Sequence, residues 1–284
     1  MLYEYQFNRG KLALNYARTD NNNAQPLLCL HGVTRSWQTF LPLIPTLALR
    51  WQVHALDHRG HGKSARAKSY FAIDYVPDAV NFLRNEIERP CVIYGHSLGA
   101  MVAAAVAAEA PDIVRAVILE DPPFDTMGAR IKSYTLYPYF VALESLAGEA
   151  MDIPQLVEKL GAIEIATPLG MTPLRDVRDA SALRFTAKCL QKLDPAVMKP
   201  IVESQWLNGY DLQTIANRIQ SPVLIMQADA NAGGMLTDHD ADLLERMIAD
   251  VTRVRVSGIG HQIHTAAPDA ALRIAVGFLE SLQN

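Results

Sequence analysis

A mostly parallel α/β fold is the architecture this sequence predicts: an eight-stranded sheet flanked by helices, with a helical cap inserted late in the chain. Three observations lead there. Between Pro26 and Leu119, short apolar runs alternate with helical patterns, and such alternation calls for a parallel sheet covered on both faces. The alternation stops from Pro122 to Ser221 and resumes at Pro222. The chain has 284 residues, 50% of them hydrophobic, which suits one large domain carrying an insertion.

The strands are expected at Leu2–Phe7 and Lys11–Ala17, joined by the turn Asn8-Arg9-Gly10, then at Pro26–Leu30, Gln52–Leu56, Cys91–Tyr94, Val114–Leu119, Pro222–Gln227 and Arg253–Val256. Apolar content and bounding turn residues define each of them. Helices are expected over Trp37–Leu49, broken by two prolines, and over Asp74–Ile87, Leu98–Glu109, Thr237–Ile248 and Pro268–Leu282. In Asp74–Ile87, the residues Val76, Val80, Leu83 and Ile87 recur at helical spacing. The 122–221 stretch is helical in pattern, punctuated by prolines from Pro138 to Pro200, and no β-branched apolar strand stands out in it. The expected division is therefore a core of residues 1–121 and 222–284 with a helical cap of residues 122–221.

Composition narrows the function classes. The net charge is −4 with no Lys/Arg block, so nothing points to a nucleic-acid partner. No apolar run reaches membrane-spanning length, and the N-terminus lacks the charged-then-apolar order of a signal peptide. Cys29, Cys91 and Cys189 are odd in number and widely spaced, which reads as reduced core thiols in a cytoplasmic protein. No cofactor or metal site is indicated; His58 and His61 have metal-like spacing but no evident third ligand. The implied partner is a small-molecule substrate, and a homo-oligomer is compatible with the sequence.

The chemistry rests on four short segments. Gly95-His96-Ser97-Leu98-Gly99 lies between an apolar strand and an Ala-rich helix. Small residues on both sides let the chain turn sharply there and hold Ser97 exposed as a nucleophile. His31-Gly32-Val33-Thr34 follows the strand Pro26–Leu30. Its Val33 N–H, with that of Leu98, can receive the oxyanion formed when a serine attacks a carbonyl, and His31 is expected to orient the loop. Asp57-His58-Arg59-Gly60-His61-Gly62-Lys63-Ser64 reads as a structural turn. Gly258-Ile259-Gly260-His261 places an imidazole late in the chain, as a general base for Ser97 requires. His264 is expected to face the cap or solvent.

The base needs a carboxylate to hold its tautomer. Asp229, after Pro222–Gln227, is taken as that acid, with Asp121, after Val114–Leu119, as the alternative. Glu120 is offset by one residue and should point to the opposite face. Walls for a pocket are expected from Thr34 and Trp37 beside the oxyanion loop and from Tyr137, Phe140 and Trp206 in the cap.

Together the HG-x, D-x-R-G-x-G-x-S, G-x-S-x-G and G-x-G-H segments resemble the α/β-hydrolase superfamily over nearly the whole chain. That resemblance implies a serine hydrolase with a triad, an oxyanion hole and a cap. In the family the acid usually lies in G-x-x-D with a proline four residues on. Here the corresponding stretch is Gln227-Ala228-Asp229-Ala230-Asn231, an ungapped comparison puts Asn231 at the acid position, and a shortened turn restores Asp229. The expected activity is carboxylesterase-like: hydrolysis of a small, largely apolar carboxylic ester, lactone or thioester. Carbon–carbon hydrolysis of a diketone by the same residues is the alternative reaction, and slow-turnover ligand binding on the same scaffold is the alternative class. Dehalogenase and epoxide hydrolase chemistry is disfavoured, because both use a carboxylate where Ser97 stands.

Overall fold

The computed structural model describes residues 1–8, 11–167 and 170–282. Part of the expected turn, Arg9 and Gly10, lies outside them. Eight strands form one sheet in the order β1-β2-β4-β3-β5-β6-β9-β10. They are β1 (Leu2–Phe7), β2 (Leu14–Thr19), β3 (Gln25–Leu30), β4 (Trp51–Leu56), β5 (Cys91–His96), β6 (Val114–Glu120), β9 (Val223–Ala228) and β10 (Val251–Val256). The two strands absent from that list, β7 (Glu164–Thr167) and β8 (Gly170–Pro173), pair with each other in a separate antiparallel ribbon. In the main sheet only the β1–β2 and β2–β4 pairs are antiparallel.

Strands β3, β4, β5 and β9 are buried or nearly so on both faces, which explains their continuous apolar runs in place of alternation. Two apolar layers cover the sheet. One includes the helix Leu98–Glu109 and the packing of Val76–Phe82 against it. The other gathers Trp37, Phe40, Leu43 and the inner face of Pro268–Ser281. All three cysteines are buried and free, and burial pushes each thiol's pKa up.

The 122–221 stretch differs from its expected all-helical make-up. Helices Tyr137–Leu146, Ile153–Ala162, Ala180–Lys192 and Leu212–Arg218 account for much of it. The β7–β8 ribbon is the exception, and its short, partly exposed strands carry no long apolar run to announce them. The flanking strands pair directly, Val117 opposite Val223 and Glu120 opposite Met226. The sheet therefore closes behind the excursion with no strand from it in between.

The helix Leu98–Glu109 sits unusually close to the sheet, because glycines stand where it touches. A Cβ on Gly99 would lie 1.9 Å from the Leu30 carbonyl oxygen, and one on Gly95 would lie 2.2 Å from the Gly99 carbonyl oxygen. Both neighbours are backbone, which cannot rotate away. Gly99→Ala is expected to cost about 3 kcal/mol or more through overpacking, a fall of roughly 8 °C in Tm for a chain of this size. Thermal unfolding of the variant checks this, and an unchanged Tm would show that the helix has room to lift.

Candidate active site

Ser97 is the joint between β5 and the helix Leu98–Glu109. Its φ of 55° and ψ of −118° lie outside the regions ordinary residues favour, a strain that surrounding structure must hold in place. The Ser97 N–H donates to the Glu120 carbonyl on β6 at 2.9 Å, and Gly95 and Gly99 provide the clearance described above. The residue is only 4% exposed.

Beside it lies the 31–34 loop. A Cβ on Gly32 would come within 3.1 Å of the Ser97 Cβ and 2.9 Å of His96 Nδ1, so only glycine lets this backbone approach. Val33 follows at once, and Leu98 opens its helix, where an N–H has no intrahelical acceptor. Both N–H groups thus belong to backbone that flanks Ser97. Thr34 adopts φ 63° and donates its N–H to His61 Nε2 at 3.3 Å.

Three buried histidines lock this loop to the next one. His31 Nδ1–H donates to the Gly32 carbonyl at 2.8 Å, and its Nε2 accepts the His58 N–H at 3.1 Å. His58 Nε2–H donates to the His31 carbonyl at 3.1 Å, and His61 Nδ1–H to the Arg59 carbonyl at 2.9 Å. His31 and His61, which each donate from one ring nitrogen and accept at the other, must be neutral with defined tautomers. Burial, aided by the neighbouring imidazoles, holds His31 well below its ordinary pKa and takes His58 to about 3; burial takes His61 to about 4. The 57–64 segment is a brace, as its glycines suggest. Asp57 accepts from the Trp37 and Lys63 N–H groups and from Asn15, and Arg59 grips Asp78 with two bonds of 2.6 and 2.8 Å.

His261 lies where the late Gly-rich loop returns to the sheet edge. Its ring is 4.7 Å from that of His96, the residue before Ser97, and its carbonyl accepts from His96 Nε2 at 2.9 Å. Among the described residues no hydrogen bond joins Ser97 Oγ to His261 Nε2. The bond to a carboxylate is present: His261 Nδ1–H donates to Asp121 Oδ2 at 2.7 Å.

That bond corrects the choice of acid. Asp229 is turned away, its Oδ1 accepting the Asn231 N–H at 2.9 Å and its Oδ2 the Gly258 N–H at 2.8 Å. Those amides, Gly258 first, hold its carboxyl below the usual range. Asp229 therefore fixes the turn that carries His261. Asp121 is fully buried and accepts three further bonds, from the N–H groups of Ala228, Met235 and Leu236 at 3.1, 2.7 and 3.2 Å. Its φ of 44° swings the side chain off the strand's alternation.

His264 is a second departure from expectation, since it is fully buried and faces neither cap nor solvent. Glu120 Oε1 accepts from its Nδ1–H at 2.8 Å and its backbone N–H at 3.0 Å, while Oε2 accepts the Tyr94 hydroxyl at 2.7 Å. Glu120 thus serves His264 while Asp121 serves His261. Donor atoms of His96, Glu120 and His264 fall within 4.8 Å of one another, but hydrogen bonds already engage Glu120 and both ring nitrogens of His264. The cluster reads as an anchor for the His261 loop.

Four of the expected pocket walls are held in packed surroundings. Trp37 lies in the sheet's second apolar layer and donates its Nε1–H to Glu4 at 2.9 Å. Trp206 has no exposed surface, and its carbonyl accepts the Ala72 N–H. Phe140 is buried, and the Tyr137 hydroxyl donates to the Val202 carbonyl at 3.0 Å. Tyr134, a cap aromatic not among the expected walls, lies where burial and then the charge of Asp121 raise its pKa to about 12. The sequence reading passed over Arg35, next to the 31–34 loop, whose Nη1–H donates to Thr186 Oγ1 at 2.6 Å.

Comparison with known proteins agrees with this architecture. Residues 25–266 match the family model described as the alpha/beta hydrolase fold. A 2-(acetamidomethylene)succinate hydrolase of Mesorhizobium japonicum is 27% identical over 286 aligned positions, covering 96% of this chain and 93% of that protein. A serine hydrolase-like protein of Danio rerio is 34% identical, covering 91% and 82%. The crystal structure of an E-2-(acetamidomethylene)succinate hydrolase superposes with a TM-score of 0.75 at 24% identity, covering 99% of this chain and 100% of that one. Among the described residues no helix is long and apolar enough to cross a membrane.

The neutral histidine network makes stability depend on pH. In the unfolded chain these rings take up protons below about pH 6.5; in the folded one they resist, as do His54, taken to about 3 by burial and then by Arg18 and Arg89, and His96. Stability is complete above the unfolded value and is lost as pH falls toward the folded one, on the order of 1 kcal/mol per pH unit for each histidine. Thermal unfolding should show Tm dropping steeply from pH 7 to pH 5. A flat profile would mean that these rings titrate normally.

Proposed function

The chain belongs to the α/β-hydrolase fold family, and on that premise we propose that it is a serine hydrolase acting on a small carboxylic ester, lactone or thioester. One observation carries the reading: the buried Asp121 carboxylate fixes the His261 ring beside a strained, glycine-flanked serine. Holding Nδ1 as the donor leaves Nε2 free to accept a proton. In the proposed cycle Ser97 Oγ attacks the substrate carbonyl as His261 Nε2 removes its proton. The resulting oxyanion is received by the N–H groups of Val33 and Leu98. Collapse expels the leaving group, which takes the proton back from His261 and leaves an acyl-serine. Water, activated by the same imidazole, attacks that acyl group through a second oxyanion and restores Ser97. Residues 122–221 serve as the cap that walls in the substrate, and Thr34 stands at the edge of the oxyanion loop.

A fluorophosphonate probe should label the protein once, and Ser97→Ala should abolish labelling; persistent labelling would remove Ser97 from the reading. Asp121→Asn should lower turnover of a p-nitrophenyl ester by about 10⁴-fold, because the amide favours the wrong His261 tautomer. Asp229→Asn should lose far less and mainly loosen the turn. The reverse ranking would return the acid's role to Asp229. A panel of esters, lactones, thioesters and diketones completes the test, since exclusive turnover of a diketone would assign carbon–carbon cleavage instead.

A further inference from the structure

Arg35 presents a charge without a counter-ion. It is 7% exposed, one residue beyond Thr34, and its N–H donates to the Gly32 carbonyl at 3.2 Å, so it belongs to the same tight turn that packs on Ser97. Of its five side-chain N–H donors, only Nη1 has an acceptor among the described residues, the neutral Thr186 hydroxyl on Ala180–Lys192. Thr186 in turn donates to the Ala182 carbonyl at 2.9 Å and stays uncharged. No carboxylate forms an ion pair with Arg35 among the described residues. The acids nearby are occupied: Asp57 by Trp37, Lys63 and Asn15, and Asp179 by the Ala182 N–H and Ser181. The unpartnered Arg35 nitrogens are not sealed from solvent either, since none is among the fully buried atoms without a partner.

A second guanidinium stands just before the helix that carries Thr186. Arg178 forms the turn between the helices Leu174–Val177 and Ala180–Lys192, keeps solvent access, and also lacks an ion-pair partner among the described residues. Its pKa is lowered by desolvation first and by the charge of Arg35 second. Asp179, the next residue, raises that pKa, but neither guanidinium has a carboxylate within ion-pair distance among the described residues. Burying a charge is tolerable only when it is paired, and a planar guanidinium fork matches the two oxygens of a carboxylate.

We propose that Arg35, assisted by Arg178, binds a carboxylate carried by the substrate, so that the enzyme acts on acyl compounds bearing a second, free acid group. This deepens the serine hydrolase reading and rests on it; Arg35 and Arg178 are positioning residues that place the scissile carbonyl over Ser97 by holding the far end of the same molecule. The proposal also replaces the expectation of a largely apolar substrate.

Succinate is the probe, because it carries the proposed group and has no scissile bond. Its binding to Ser97→Ala is read by calorimetry and by the rise in Tm, which need no turnover. Succinate should bind and dimethyl succinate should not. Arg35→Gln, Arg35→Lys and Arg178→Gln should each weaken succinate binding roughly 10- to 100-fold, the range for a hydrogen bond to a charged group. Arg178→Gln keeps the test decisive if the buried Arg35 variants fail to fold. In wild type the ratio of kcat/KM for p-nitrophenyl hydrogen succinate to that for p-nitrophenyl acetate should exceed the ratio in Arg178→Gln by a similar factor, mainly through KM. Failure of succinate to bind at millimolar concentration, equal binding by Arg178→Gln, or inorganic phosphate binding in place of succinate would each overturn the carboxylate assignment. Loss of fluorophosphonate labelling at Ser97 would instead defeat the hydrolase reading while the binding result stood on its own.

Discussion

The Asp121 carboxylate holds the catalytic edge of this molecule together. It sits at the end of β6 and accepts from the end of β9, from two amides of the 235–236 turn and from the His261 ring. Four segments distant in sequence therefore meet on two oxygen atoms. With no solvent to substitute for any donor, the loss of this group would leave buried amides unpaired, at roughly 1–3 kcal/mol each. The positive φ of Asp121 is a local cost that these four bonds offset. Ser97 is tied to the same place, since its N–H donates to the carbonyl of Glu120, immediately before Asp121.

Around this point the loops are fastened by imidazoles, each with a donor and an acceptor side. His31, His58 and His61 join the oxyanion loop to the 57–64 brace; His96 and His264 pin the two ends of the segment that begins at His261. A neutral imidazole has one N–H and one lone pair, so it can link a carbonyl to an amide across a gap. His261 shares with His264 a bond to a carboxylate and differs from the others in being only part-buried.

Much of this was legible in the residue order. The glycine-flanked Ser97 and the Gly-rich approach to His261 need special backbone at short range, and the eight strands announce themselves as apolar runs. The acid was less legible for a physical reason. Strands β6 and β9 are neighbours, so Asp121 and Asp229 emerge at the same sheet edge, and the choice depends on how the backbone turns after each strand. At Asp121 a positive φ aims the carboxylate inward; at Asp229 the Asn231 and Gly258 amides capture it. The missing G-x-x-D and its proline already marked the second position as altered. The β7–β8 ribbon escaped notice because four-residue, half-exposed strands leave no apolar trace. Arg35 escaped because a single charge in a loop is ordinary until its partners can be counted.

The direct pairing of β6 with β9 has an evolutionary consequence. The hundred residues between them leave the sheet and return at adjacent positions, so lengthening, shortening or exchanging that excursion breaks no ladder hydrogen bond in the main sheet. Ser97, His261 and the oxyanion loop all lie on the other side of this junction, while Thr186 and Arg178 belong to the excursion. Selection can thus reshape the excursion, and with it the surroundings of Thr186 and Arg178, with little disturbance to the bonds that hold Ser97, Asp121 and His261.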